Sequence, residues 1–141
     1  MRRGKRGVVV TALAAVAASA GAVVITAAPA SAGANCASGY HCIFEFDVND
    51  GSKYSFFNTD SDFRNNYYPS GYSVHNNSWA ASNSSTGGYE SHYYTGVGTD
   101  WGGFLFCVNP GSTVYESELP DSLEDRASSL RLRGTTQVRC Y

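Results

Sequence analysis

Four cysteines carry the chemistry that is easiest to interpret in this sequence: Cys36, Cys42, Cys107 and Cys140. An even number of cysteines in an exported chain is typical of disulfides. Three pairings are open. We favour Cys36–Cys42 with Cys107–Cys140, because the first pair brackets a turn centred on Gly39 and the second would tie the C-terminal segment to a central strand.

A zinc site is the alternative use of these cysteines, since His41 stands between Cys36 and Cys42. Five residues separate the two cysteines, which is wider than the usual spacing of a zinc motif, and the other two cysteines have no neighbouring partner in the sequence. The pattern therefore favours disulfides.

Catalytic chemistry would need a positioned base or nucleophile. The three imidazoles, His41, His75 and His92, lie outside any nucleophile motif such as G-x-S-x-G. Asp60 and Asp62 could form a carboxylate pair, but Asp and Ser in a loop rich in Gly and Asn are usually turn formers. We therefore do not expect an enzyme.

The N-terminal segment indicates export. Basic residues up to Arg6 precede a weakly apolar run over 8–28, and Ala30-Ser31-Ala32 is a cleavage pattern. The alternative is a membrane anchor, because the run approaches the ~20 residues that span a bilayer. We expect residues 1–32 to be a signal peptide, residues 33–141 to be one domain, and the protein to be secreted.

Cleavage changes the charge of the protein. It leaves six basic and twelve acidic side chains, a net charge of −6. Such a domain is a poor partner for nucleic acid or an anionic membrane. All nineteen aromatic residues lie after the signal, so we expect a core built largely from rings.

Short apolar or alternating runs between turn-rich segments predict an all-β domain. A hairpin is expected at Asn49-Asp50-Gly51, and a short helical turn over 120–125. The predicted strands cover residues 43–46, 53–57, 71–74, 89–94, 103–108, 129–133 and 137–141. A weak repeat relates residues 77–82 to residues 124–129.

Two stretches resemble a known family. Residues 36–44, Cys-Ala-Ser-Gly-Tyr-His-Cys-Ile-Phe, resemble the opening of the secreted actinobacterial metalloproteinase inhibitors, the thirty-sixth family of peptidase inhibitors. Residues 125–130, Asp-Arg-Ala-Ser-Ser-Leu, are similar to the late motif of that family and to the signature of βγ-crystallin domains. The resemblance implies a βγ-crystallin-like sandwich of two Greek keys, stabilised by the two disulfides.

The resemblance also implies a function and a site. The protein would be a monomeric inhibitor of secreted thermolysin-like metalloproteases, binding the protease active site through a rigid, disulfide-braced loop. The reactive bond carried over is Cys107–Val108, which precedes Asn109-Pro110-Gly111. The alternative for Val108 is a core residue at the end of a strand. No cofactor would be required.

Calcium is an optional ligand under the same resemblance. Asp125 and Ser128 match ligand positions of the crystallin signature, and hard oxygen donors suit that ion. Glu124 departs from the signature, and the earlier copy carries Ala81 at a hydroxyl position. The alternative is that these side chains hold a turn by bonding backbone amides.

Two further functions compete with inhibition. One is a killer-toxin-like, antimicrobial or sugar-binding domain, suggested by rings that could stack on sugars: Tyr67, Tyr68, Tyr72, Trp79, Tyr93 and Trp101. The other is a structural domain that calcium stabilises.

Overall fold

The computed structural model describes residues 32–49 and 51–141, and it is all-β. Antiparallel pairing builds two sheets, and the described part contains short 3-10 turns at Phe63–Asn65 and Glu116–Glu118 but no α-helix. The strands are β1 His41–Phe44, β2 Lys53–Phe56, β3 Ala80–Asn83, β4 Glu90–Tyr94, β5 Phe104–Val108, β6 Thr113–Val114 and β7 Ser129–Arg133.

Each sheet is built mainly from one half of the chain, β1–β3 or β4–β7, and receives one segment from the other half. The first sheet has the order β2-β1-β3-β6, and the second has the order β5-β4-β7. Strand β6 thus leaves its own half to pair with β3. In return, the segment between β2 and β3 reaches the second sheet, where Asp60 and Leu130 exchange two backbone hydrogen bonds of 2.9 and 2.7 Å.

Aromatic rings fill much of the interior between the sheets, as the composition predicts. Phe56 stacks on Phe63 with ring centroids 4.7 Å apart, and Tyr93 stacks on Phe106 at 4.8 Å. All four side chains are at most 4% exposed. Because burying one such ring is worth roughly 1.5–3 kcal/mol, these pairs offset the scarcity of Leu and Ile.

Five of the predicted strands coincide with β1, β2, β4, β5 and β7 to within two residues at either end. Strands β1 and β2 pair across the predicted hairpin turn. The prediction was wrong for residues 137–141, which form no strand, and residues 71–74 contribute only the isolated bridge between Tyr67 and Ser73. Strands β3 and β6 were missed.

Both favoured disulfides are present, Cys36–Cys42 and Cys107–Cys140. The predicted signal peptide lies outside the described residues apart from Ala32. Within the described ranges, no helix is long and apolar enough to cross a membrane.

Candidate inhibitory loop

The Cys107–Val108 bond, the reactive bond that the resemblance implies, lies inside strand β5. Cys107 is 1% exposed and Val108 is 0% exposed. Cys107 stands opposite His92 and Val108 opposite Ser91 in the antiparallel pairing with β4. The sequence favours this placement, because Phe104–Val108 is an almost continuous apolar run, typical of a buried strand. Val108 is therefore a core residue.

The exposed structure next to this bond is the turn at residues 109–112, which we call the brace loop. Pro110 is exposed at its tip, and Gly111 adopts a φ of +79° that favours glycine. The Ser112 amide donates to the Asn109 carbonyl at 3.0 Å and closes the turn. Asn-Pro-Gly is turn chemistry, so this feature was visible in the sequence.

The brace loop is fixed at its first end by the C-terminal segment. The Cys107–Cys140 disulfide joins the two covalently. The Tyr141 amide donates to the Cys107 carbonyl at 2.9 Å, and the Asn109 amide donates to the Tyr141 carbonyl at 2.8 Å. The Asn109 side-chain amide adds a 3.3 Å bond to the Cys140 carbonyl. These bonds hold the entry to the loop in one conformation.

Asn83 fixes the second end of the brace loop, and nothing in the sequence pattern pointed to it. Its backbone accepts from the Gly111 amide at 2.8 Å and donates to the Ser112 carbonyl at 2.9 Å. Its fully buried side-chain amide donates to the carbonyls of Tyr89 and Val108 at 2.8 and 2.9 Å. One asparagine thus ties β3, β5 and the loop together.

Gly33 packs against the same junction. A Cβ placed there would lie 2.7 Å from the Ser112 carbonyl oxygen and 2.8 Å from the Asn83 nitrogen. No larger residue fits without moving the backbone, so Gly33 is needed for the close approach of its segment to the brace loop.

Glu90 and His92 form a buried pair on β4, the strand next to β5. The Glu90 carboxylate is 2.7 Å from His92 Nε2 and accepts from both the backbone and the hydroxyl of Thr136. Burial alone would raise the pKa of Glu90, but the hydrogen bonds from His92 and Thr136 outweigh it and hold that pKa below its ordinary value. The pair anchors the segment after β7.

Asp125 and Ser128, the residues predicted to bind calcium, contact different neighbours within the fold. The buried Ser128 hydroxyl donates to Asn76 Oδ1 at 2.9 Å. Burial raises the pKa of the Asp125 carboxyl above its ordinary value, and the neighbouring Ser78 amide and Trp79 side chain partly oppose that rise. The Ser128 hydroxyl therefore bonds a side chain and the Arg126 carbonyl, not a backbone amide as the alternative had it, and the calcium site stays a prediction.

The weak repeat has a structural counterpart in a different register. Asn76 and Asp125 both have a positive φ, 52° and 49°. The Asn76 amide donates to the Ala127 carbonyl, and the Asp125 amide donates to the Ser78 carbonyl, each at 2.9 Å. The structure therefore matches Asp125 to Asn76, two positions from the match that the sequence repeat gave.

Two further groups of side chains that could ligate metal lie among the described residues. Among the residues that the structure describes, one group brings three potential ligand atoms within 4.8 Å: His92, Cys107 and Cys140. Its two cysteines form the disulfide and cannot act as thiolates. A separate open cleft carries Asp47, Glu116, Asp121 and Glu124 on its walls. Burial and then the carboxylates of Asp121, Glu116 and Asp125 raise the pKa of Glu124.

The six rings suggested for sugar binding do not form one exposed set. Tyr67 and Tyr72 are 58% and 66% exposed, whereas Tyr68 and Tyr93 are buried. Trp79 and Trp101 are half-buried, and Trp101 packs beside the Arg131 guanidinium. Most of these rings therefore belong to the core or its margins.

Comparison with known proteins yields no match to a family model, to a curated protein or to a solved structure.

Proposed function

We propose that this protein is a secreted inhibitor of thermolysin-like metalloendopeptidases and that the brace loop is its contact surface. The observation that carries the proposal is the fixation of this exposed turn at both ends, by the Cys107–Cys140 disulfide and by Asn83. A loop held rigid before binding loses little conformational entropy when it enters an enzyme cleft, so its contacts are retained as affinity.

The strand order supports the family resemblance on which this proposal also rests. Each sheet joins three strands of one half with a segment of the other half, β6 in one direction and the Asp60 segment in the other. We interpret each half as a Greek key, with the third segment of each key exchanged. Such a pair of keys is the βγ-crystallin-like sandwich that the sequence motifs imply. The two disulfides suit an exported protein.

The buried position of Val108 changes how inhibition would work. A protease that cuts before apolar residues would need to open the end of β5 to reach this bond. The disulfide and the pairing with β4 oppose that opening. We therefore assign contact to Pro110 and to Tyr141, whose ring is 38% exposed and packs edge-on to Phe106 at 6.3 Å. The inhibitor itself would need no metal.

The test measures residual activity of a thermolysin-type protease with the purified secreted protein and two variants. Pro110→Lys places a charged chain at the exposed tip, and we expect inhibition to weaken at least tenfold with an unchanged melting temperature. Val108→Ala is the matched control: it removes two buried methyl groups and should cost about 1.5–3 kcal/mol of stability while leaving inhibition intact at low temperature.

Two results would decide against the proposal. If the wild-type protein at micromolar concentration leaves this protease class fully active, the inhibitor assignment fails. If folded Val108→Ala loses inhibition while Pro110→Lys keeps it, the reactive role returns to the Cys107–Val108 bond.

A further inference from the structure

A second cleft, apart from the brace loop, lies over strand β1 between the end of β2 and the segment that connects β3 to β4. Its volume is about 520 Å³, within the roughly 300–1,000 Å³ of small-molecule sites. None of the side chains that line it is charged. Two other clefts among the described residues carry charged side chains, carboxylates in one and Arg139 in the other.

The floor of this cleft includes the imidazole of His41. The residue is 2% exposed, and its Nδ1 lies 2.6 Å from the buried Ser91 hydroxyl. Its Nε2 has no hydrogen-bond partner among the described residues, and His41 is one of the residues that line the cleft, so this nitrogen can bond a ligand there. Burial lowers the pKa of His41 to about 4, so the ring is neutral at physiological pH.

Exposed aromatic rings form the rim. Phe57 is 63% exposed, Tyr89 is 49% exposed, and Tyr40 touches Phe57 edge-on at 5.5 Å. Gly87 lies against the Tyr89 ring, where an added Cβ would come within 2.9 Å of a ring carbon. The Tyr89 ring thus has backbone support on one side and open space on another.

Small polar side chains complete the walls: Asn58, Thr59, Ser85 and Thr86. Hydroxyl and amide groups both donate and accept hydrogen bonds. A ligand that matches this lining has no charge, an apolar face for the rings, and hydroxyls for the walls and for Nε2. A hydroxyl satisfies Nε2 in either tautomer of His41, because it can accept from N–H or donate to the bare nitrogen.

We propose that this cleft binds a neutral saccharide, with a sugar ring on Tyr89 or Phe57 and a hydroxyl hydrogen-bonded to His41 Nε2. The site is separate from the surface assigned to protease contact, so either function can fail without the other. The six rings considered from the sequence did not include Phe57, Tyr89 or Tyr40.

The test is isothermal titration calorimetry of the secreted protein with three neutral trisaccharides, cellotriose, maltotriose and chitotriose, and with glucuronate as a charged probe. NMR of the histidine side chains in the same titration reports on His41. We expect saturable binding of at least one neutral trisaccharide with a shift of the His41 ring signals, and weaker binding of glucuronate.

Variants locate the binding. Tyr89→Ala and Phe57→Ala remove exposed rings and should fold; at least one should weaken binding about three- to tenfold, the size of one aromatic contact. Tyr72→Ala, which removes a 66% exposed ring outside this lining, is the matched control and should bind as the wild type does. The proposal is overturned if none of the trisaccharides saturates the protein by 20 mM, if glucuronate binds best, or if Tyr72→Ala loses as much affinity as the cleft variants.

Discussion

Removing the Cys107–Cys140 disulfide should destabilise this protein more than removing Cys36–Cys42, because the two bonds close loops of different length. The sequence separations are 33 and 6 residues. The loop-entropy relation gives about 3.7 kcal/mol for the longer closure and about 2.2 kcal/mol for the shorter one. With an unfolding entropy of about 0.23 kcal/mol/K for roughly 110 residues, the melting temperature should fall by ~16 °C and ~10 °C.

The two disulfides form a matched pair for this measurement. Each contains one fully buried cysteine, Cys107 at 1% and Cys42 at 0% exposure. Replacing both members of each pair by Ala therefore removes a similar buried sulfur in the two variants, and the difference of about 1.5 kcal/mol reports on loop closure. Thermal melting and urea unfolding of both double variants give the two free energies.

Inhibition supplies the second readout. Below its melting temperature, the Cys107→Ala/Cys140→Ala variant should inhibit the protease about tenfold less well, because the brace loop loses one fixed end and must be ordered on binding. The Cys36→Ala/Cys42→Ala variant should inhibit as the wild type does. The entropic reasoning is refuted if the shorter disulfide contributes as much stability as the longer one. Unchanged inhibition without Cys107–Cys140 would refute the role of the brace.

Two further predictions concern carboxylates. Glu90→Gln should cost about 2 kcal/mol of stability at neutral pH, since it weakens buried hydrogen bonds from His92 and Thr136. Because the pKa of Glu90 in the folded protein lies below its ordinary 4.5, the wild type should lose this advantage as pH falls below about 4.5. The melting temperature of the variant should therefore change less with pH in that range than that of the wild type. A variant with the wild-type pH slope would contradict this. Glu124→Gln should raise stability at pH 7 by about 0.3–0.5 kcal/mol, because burial and then neighbouring carboxylates raise the pKa of Glu124 and penalise its ionised form. The gain should fade at acid pH and in 1 M salt, whereas Asp100→Asn, which removes an exposed carboxylate that does not act on Glu124, should show no such gain.

The strands that could be predicted are those whose own residues form an apolar run or an alternating apolar and polar pattern. Strand β5 is an apolar run, and β7 alternates Leu130 and Leu132 with arginines. Strand β3 reads Ala-Ala-Ser-Asn, with no β-branched or aromatic residue, yet all four residues are buried. It is a strand because it lies between β1 and β6 in the sheet, and that pairing is a tertiary effect that local propensity does not contain.

The candidate sites also contain features that the local sequence encodes and features that depend on distant residues. The brace loop could be predicted because Asn109-Pro110-Gly111 encodes a turn locally. The burial of Val108 was an open alternative, which only the pairing of β5 with β4 decided. The roles of Asn83 and His41 could not be predicted, because their hydrogen-bond partners lie up to 50 residues away in the chain.

Asn83 also links the two surfaces that we propose for binding. Its side-chain amide bonds the Tyr89 carbonyl, beneath the aromatic rim of the cleft, and the Val108 carbonyl, at the start of the brace loop. The brace loop and Tyr89 both lie outside the strands, and the buried Asn83 amide holds both against the sheets. The Cys107–Cys140 disulfide holds the brace loop as well. The buried Val108 side chain then stabilises the core, while the Val108 carbonyl, bonded to the Asn83 amide, helps to position the brace loop.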